Sequence, residues 1–322
     1  MAKVTLKDIA RDLNISYATV SFALKDDPRI AVKTRALVQD AAKRHNYIPN
    51  HLAQALQSSK SMMIGCLIAD ITSSYVSELL QSIGETASAN NYTLLLGLVK
   101  YSEQYIETQL KTFCEKRVDG IITPWVYRSG RHRISEINNS GIPVVGCSDF
   151  CFESNIPFVI NDDFKGGKIA FQHLIEFGHT RIAYGCLNKD FETSRYAGCC
   201  QAAEEAGMKK PALFNSEAEL FKLLETRTRP TGIVAFSDYD AIAIKHSLNK
   251  RELRIPEDIS LLGFDDIWAV SQPEYNFSTI AIKRAEIGRQ AMEMLLDRIN
   301  GRKVENRLIE PELIIRGSTA RI

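Results

Sequence analysis

The sequence predicts an α/β protein: a small all-helical head of about 60 residues, then two lobes built on doubly wound parallel sheets. Three observations predict it. Two short amphipathic helices open the chain with their own caps. From residue 63 onward, short apolar runs alternate with helical periodicity. These apolar runs are too numerous for one sheet of ordinary size, so two lobes are expected.

The head begins at Thr5, which caps a helix with Asp8 three residues on as the acidic partner of a capping box. Leu6, Ile9, Ala10 and Leu13 then form one apolar stripe. Asn14-Ile15-Ser16 breaks this helix, and Ser16 caps the next. On the second helix Val20, Ala23 and Leu24 face one way; Ala18, Ser21, Phe22 and Lys25 face the other, with Tyr17 at the border. Two short helices joined by a tight turn, the second with a free face, read as a helix-turn-helix. A plain helical hairpin is the competing reading. Phe22 argues against it, because the wheel leaves this large apolar group outside the local core, where an aromatic ring meets a thymine methyl in a major groove. A third helix over 32–45 turns Thr34, Leu37, Val38, Ala41, Ala42 and His45 inward, and Pro49 ends that region. Residues 51–57 follow a possible cap at Asn50, but seven residues make no stable isolated helix, so a flexible linker is expected in the free protein.

Charge agrees with this division. Residues 1–60 carry ten Lys/Arg against five Asp/Glu, a net +5, which leaves −4 on the rest of a chain whose total is +1. A basic head on an acidic body fits a head that binds a polyanion, although a solvated helical surface would give the same count.

The body starts with a buried strand at 63–70, then helix 75–91, strand 92–99, helix 105–117, strand 118–123, a helix near 131–140 and strand 142–147. A second round begins at FVIND, 158–162, and continues with helix 165–178, strand 181–186, helices at 193–207 and near 216–227, strand 231–238, helix 240–250 and strand 259–266. No stretch of about 18 apolar residues spans a membrane. MAKVTLKD has no apolar signal region, and the seven cysteines show no CxxC or metal-ligand spacing, so reduced thiols in a cytoplasmic protein are expected.

Enzymatic motifs are missing: there is no GxSxG, Walker A or HExxH, no catalytic or metal-binding set and no expected cofactor. Gly166-Gly167-Lys168 lacks phosphate-loop spacing and reads as a helix start. Asp162-Asp163 and Asp265-Asp266 stand where strands end, the edge at which open α/β sheets bind ligands, so each pair is a ligand contact or a helix cap. Trp125 and Trp268 also follow strand ends, and either stack on the apolar face of a sugar or cover core.

Several of these segments together resemble one family. VTLKDIARDLNISYATVS (4–21), KTR (33–35), NYIPNHLAQAL (46–56), GGKIAFQHLIEFGHTRIAY (166–184), SRYAG (194–198), ISLLGFDD (259–266) and IEPELIIRGST (309–319) are similar to the LacI/GalR family of transcriptional regulators. The resemblance covers nearly the whole chain. It implies a DNA-binding head at 1–60 with a hinge helix at about 50–57, and an effector-binding and dimerisation body at 61–322 that resembles periplasmic sugar-binding proteins. One lobe would comprise about 61–160 and 282–310, the other about 161–281 and 311–322. The implied function is a cytoplasmic repressor that binds double-stranded DNA at a pseudo-palindromic operator, as a homodimer, under control of a small molecule, a sugar or sugar derivative. A small-molecule binding protein without a DNA role is the alternative, and an enzyme on the same lobes a third.

Carried over by position, the DNA contacts are Thr5, Leu6, Ser16, Tyr17, Ala18, Thr19, Ser21, Phe22 and Tyr47, with Asn50, Ala53 and Leu56 on the hinge. The resemblance implies that two copies of Leu56 wedge into a central base step of the minor groove. The effector contacts would be Ala69, Ser73, Tyr75, Val76 and Trp125 from one lobe and Arg195, Ser237, Asp265 and Trp268 from the other. Arg195 and Asp265 stand out, as effector contacts or as a structural ion pair. The chain departs from the family in four places. Phe22 stands where many members carry Arg or His. The segment 207–231 is short, and 271–282 lacks the common Pro-Pro. The sequence ends at Ile322 without a tetramerisation helix, so a dimer is expected.

Overall fold

The structure is a computed structural model that describes residues 4–47, 60–71, 74–99, 102–125, 131–149, 156–187 and 193–322. The chain divides into two compact units, Met1–Ser61 and Met62–Ile322.

In the first unit, α1 (Leu6–Asp12), α2 (Tyr17–Ala23) and α3 (Val32–Arg44) pack around Ile9, Ala10, Val20, Ala23, Val38 and Ala41. Both expected caps form. The Asp8 carboxylate accepts from the Thr5 amide at 2.9 Å and the Thr5 hydroxyl at 2.7 Å, and the Ser16 hydroxyl accepts from the Thr19 amide at 3.0 Å. Asn14 takes the left-handed conformation (φ 52°) that turns the chain between α1 and α2. His45 Nε2 lies 3.0 Å from Asp12 Oδ2 and ties the end of α3 to α1. One helical face is narrower than its periodicity predicts. Leu37 is 50% exposed, because Val38 and Ala41 fill the small core and Leu37 lies about 100° round the helix from Val38.

The second unit holds two six-stranded sheets. The first contains β1 (Met63–Ile68), β2 (Thr93–Leu98), β3 (Gly120–Trp125), β4 (Val144–Asp149), β5 (Phe158–Asn161) and β11 (Arg307–Ile309), in the order β11-β5-β4-β3-β1-β2, all pairs parallel. Helices α4 (Ser74–Ala89), α5 (Glu103–Glu115), α6 (Arg131–Asn139) and α11 (Arg284–Ile299) accompany it. The second sheet contains β6 (Ile182–Gly185), β7 (Ala212–Phe214), β8 (Gly232–Ala235), β9 (Ser260–Asp265), β10 (Ser278–Ala281) and β12 (Glu312–Ile314), in the order β12-β10-β9-β8-β6-β7. Its helices are α7 (Asp163–Glu176), α8 (Ser194–Glu205), α9 (Glu217–Leu224) and α10 (Asp238–Asn249).

Both sheets reverse strand order beside their first strand, between β1 and β3 and between β6 and β8. Ligands of open α/β sheets bind outside the carboxyl ends of strands at such switch points. The chain passes between sheets after β5, after β10 and after β11.

The fold class is the predicted one, with local differences. β5 does not begin the second sheet; it pairs with β4 and β11 in the first. All four of its residues are buried, and such a run reads the same in either sheet. β12 runs antiparallel to β10. The long helix α11 lies beyond the last element read from the sequence, and buries Ile287, Ala291, Met292, Met294 and Leu295.

Two glycines set the crossing of α7 and α8. A Cβ on Gly167 would stand 1.9 Å from the Arg195 carbonyl oxygen, and one on Gly198 would stand 1.9 Å from the Phe164 carbonyl oxygen. The helix backbones therefore touch, which delivers the first turn of α8 to the ends of the second sheet's strands.

Candidate functional site

Two regions carry the expected chemistry. The first is the free face of α2. Tyr17, Ala18 and Phe22 are exposed, while Val20 and Ala23 on the opposite side are fully buried. Thr5 and Ser16 are exposed but engaged in caps; Leu6, Thr19 and Ser21 are half-buried. Tyr47 packs partly against the head core. The expected hinge contacts Asn50, Ala53 and Leu56 lie outside the described residues.

A neighbour of Phe22 escaped the sequence reading. The Arg29 guanidinium stands 4.7 Å from the centre of the Phe22 ring. Arg29 is itself forked onto Asp27, at 2.9 and 2.7 Å, and its hydrogen bonds hold the Asp27 carboxyl down at about 2. The face thus combines two aromatic rings with a fixed cation, a combination suited to base methyls and to phosphate.

The second region lies where the strands of the second sheet end. Arg195, in the first turn of α8, is only 6% exposed. Its Nε donates to Asp163 Oδ2 at 3.0 Å; its Nη1 donates to the Phe236 carbonyl at 2.7 Å and stands 3.3 Å from Asp265 Oδ1. Phe264 lies under the guanidinium, 3.8 Å from ring centre to Cζ. Asp265 ends β9 with φ 110° and Asp266 follows with φ 52°, so the backbone turns sharply at the pair. Asp266 is salt-bridged to Arg316 at 2.7 Å.

Behind Asp265 stands Asp238, fully buried at the start of α10. It accepts from the Ile267 amide at 2.9 Å and the Thr279 hydroxyl at 2.8 Å, and so anchors the turn that carries Asp265. Burial, with added repulsion from Asp265, pushes its carboxyl up to about 7. No motif points to this role, since an acid just after a strand reads as a helix-cap residue.

The other candidates are distributed as follows. Asp162 caps α7, accepting from the Lys165 amide at 2.9 Å, and Asp163 takes the ion pair. Gly166 and Gly167 lie within α7. Ser237 is buried and caps α10, bonded to the Asp240 amide and carboxylate. Trp268 is 74% exposed in the short 3-10 helix Trp268–Ser271. In the first sheet's layer, Ala69 follows β1 and is half-buried, and Val76 is buried on α4. Tyr75 belongs to α4 and Trp125 ends β3; Ser73 lies outside the described residues. Of these candidates, the structure brings Arg195 and Asp265 into direct contact. Among the described residues no helix is long and apolar enough to cross a membrane.

Known proteins match both regions. Residues 5–50 match the family of bacterial regulatory proteins, lacI family, and residues 171–319 match the periplasmic binding protein-like domain. The chain is 31% identical over 330 residues to the HTH-type transcriptional repressor CytR of Escherichia coli (strain K12), covering 98% of this chain and 96% of that protein. In fold it is similar to the Lac repressor dimer bound to operator and the anti-inducer ONPF, with a TM-score of 0.84 at 23% identity, over 99% of this chain and 100% of that one. It is also similar to a LacI family transcriptional regulator from Enterococcus faecium with bound ribose, with a TM-score of 0.68 at 25% identity, over 81% and 99% of the two chains. Identity at this level along almost the full length of both CytR and this chain, together with the lacI family match at residues 5–50, means that the chain belongs to the lacI family of bacterial regulatory proteins.

Proposed function

We propose that this protein is a sequence-specific DNA-binding transcriptional repressor, acting as a cytoplasmic homodimer under the control of a reversibly bound small molecule. The observation that carries the reading is the free face of α2, where Tyr17, Ala18 and Phe22 are exposed opposite a closed core. A helix of this kind enters a major groove. In this reading Thr5, Leu6, Ser16, Thr19, Ser21 and Tyr47 hold the helix against backbone and bases. Asn50, Ala53 and Leu56, on a hinge at about 50–57, engage the minor groove. The head is 1–60 and the regulatory body 61–322, with one lobe at about 61–160 and 282–310 and the other at about 161–281 and 311–322.

The effector sits between the lobes. Arg195 and Asp265 are its principal contacts, with Ala69, Ser73, Tyr75, Val76, Trp125, Ser237 and Trp268 around it. The relative from Enterococcus faecium holds ribose, which supports a sugar or sugar derivative as the ligand class. Closure of the lobes on the ligand alters the hinge spacing across the dimer and so the minor-groove contacts. Binding, not catalysis, is the output.

Selection of binding sites from a random duplex pool with the full chain tests the reading. It predicts two mirrored half-sites around a central step, as two-fold symmetry requires, and affinity that falls steeply with salt. Recovery of single half-sites bound by monomer, or no enrichment at all, would contradict it.

A further inference from the structure

The loop that leaves α2 is fixed at both ends. The Asp27 amide donates to the Phe22 carbonyl at 3.1 Å, and the Ile30 amide donates to the Asp27 carbonyl at 3.0 Å. Asp26 takes the left-handed conformation (φ 54°), and α3 holds it there: Arg35 Nη1 donates to its carbonyl at 3.0 Å and Gln39 Nε2 to its carboxylate at 2.8 Å. Within this frame Asp27 accepts from the Arg29 backbone amide at 3.0 Å as well as from the Arg29 side chain. The guanidinium is thereby held over the Phe22 ring, on a side chain that is 72% exposed. An exposed ion pair adds little to stability, so this much ordering of a surface arginine points to a partner outside the chain.

A duplex offers an arginine two partners, a phosphate and the edge of a guanine. The Asp27 fork decides between them. Its carboxylate cancels the charge of the guanidinium, whereas phosphate contacts draw their affinity from net positive charge, through released counterions. The fork takes Nε and one N–H of Nη2. It leaves the edge formed by Nη1 and Nη2, whose parallel N–H groups have no partner among the described residues. That edge fits O6 and N7 of guanine bidentately. The guanidinium lies 4.7 Å from the centre of the Phe22 ring, not far from the spacing of about 3.4 Å between stacked bases. Ring and guanidinium therefore suit neighbouring base pairs.

We propose that Arg29 reads a guanine in each half-site, that Asp27 is the positioning residue that aims it, and that the Phe22 ring meets the thymine methyl of the adjoining base pair. Each half-site then contains a G·C pair directly beside a T·A pair. This rests on the reading of DNA by α2 given above, and adds to it a residue outside the helix and the base step that it selects.

The test uses the full chain and an operator selected from a random duplex pool, with one base at a time replaced by an analogue. The analogues are 7-deazaguanine, which lacks the N7 acceptor, and deoxyuridine, which lacks the thymine methyl. On wild type, 7-deazaguanine at one position of each half-site should weaken binding by about fivefold, and deoxyuridine at the adjoining pair by about threefold. Arg29→Ala should bind the unmodified operator about tenfold more weakly and be indifferent to that 7-deazaguanine. Asp27→Asn should lose operator affinity while its affinity for a scrambled duplex rises, because the guanidinium charge is no longer cancelled. A loop that had merely loosened would bind both duplexes less well. The analogue scan on wild type requires no variant to fold. The proposal is overturned by an effect of 7-deazaguanine that persists in Arg29→Ala, or by equal losses of Arg29→Ala on operator and scrambled duplex, the signature of a phosphate contact. A selected operator whose guanines all tolerate 7-deazaguanine removes this proposal and leaves the helix reading in place. Enrichment of no site at all is a different result: it removes the reading of DNA by α2, and this proposal with it.

Discussion

Arg195 Nη1 stands 3.3 Å from Asp265 Oδ1, with the Arg195 Nε held by Asp163 on its other side. The pair joins helix α8 to the end of strand β9, and it is almost closed to solvent. Removing the guanidinium leaves two carboxylates facing each other without their counterion. Arg195→Ala should therefore lower unfolding free energy by about 3 kcal/mol, besides any loss of effector response. Urea unfolding of the variant measures this. A change too small to resolve would mean that water replaces the guanidinium without cost.

Stability should respond to pH through two opposed sets of groups. The folded protein holds the Asp238 proton up to about 7, whereas the ordinary carboxyl releases it near 3.8. Between those values the folded state binds more protons, so the Asp238 contribution falls as pH rises. His173 and His179 act the other way. Burial lowers both from 6.5, so the unfolded chain takes up their protons first and stability is lost as pH drops below 6.5. Asp238→Asn removes the first contribution and leaves the second. Relative to wild type, the variant should be most stable above pH 7 and lose ground steadily as the pH is lowered to about 5. Denaturation midpoints across that range test it; a difference independent of pH would contradict the assignment.

The crossing of α7 and α8 allows no methyl group. Because a Cβ on Gly198 meets backbone at 1.9 Å, Gly198→Ala must push the two helices apart. The expected cost is about 3 kcal/mol, with displacement of Arg195 as a consequence. Chemical denaturation reads the cost, and a loss below about 0.5 kcal/mol would show that the crossing is not tight.

Much of this architecture is legible in the sequence because its signals are local. Thr5 with Asp8, and Ser16 before Tyr17, announce helix starts, and the caps form where these residues stand. Runs such as Met63–Ile68 and Leu261–Phe264 are apolar throughout, as strands covered on both faces must be. What escaped is non-local. β5 is apolar enough for either sheet, and only its partners β4 and β11 assign it to the first. Leu37 looks inward by period, but a three-helix core this small is filled by Val38 and Ala41. Arg195 and Asp265, far apart in the chain, are paired only by the family resemblance, as effector contacts or a structural ion pair, and they do meet. Asp238 carries no motif and is recognised by what it anchors.

In the proposed function, Leu56 is the residue that distinguishes hinge contacts from the rest of the DNA interface. The family's hinge wedge contributes only at a matched operator, whereas phosphate contacts act on any duplex. Leu56→Ala should weaken operator binding by about tenfold or more and leave binding to a scrambled duplex within about twofold of wild type. Filter binding or anisotropy at fixed salt compares the two. Equal losses on both duplexes would rule out the hinge as the source of specificity.

In the proposed function α2 reads DNA, and Tyr17 and Phe22 are its exposed aromatic groups. The most direct measurement is the affinity of wild type, Tyr17→Ala and Phe22→Ala for a selected operator and for a scrambled duplex, over one salt series. Both side chains lie outside the head core, so the variants should fold. Operator affinity should fall by about tenfold in each variant, with scrambled-duplex affinity and the salt slope unchanged. Operator affinity equal to wild type in both variants, or a parallel loss on both duplexes, would contradict it.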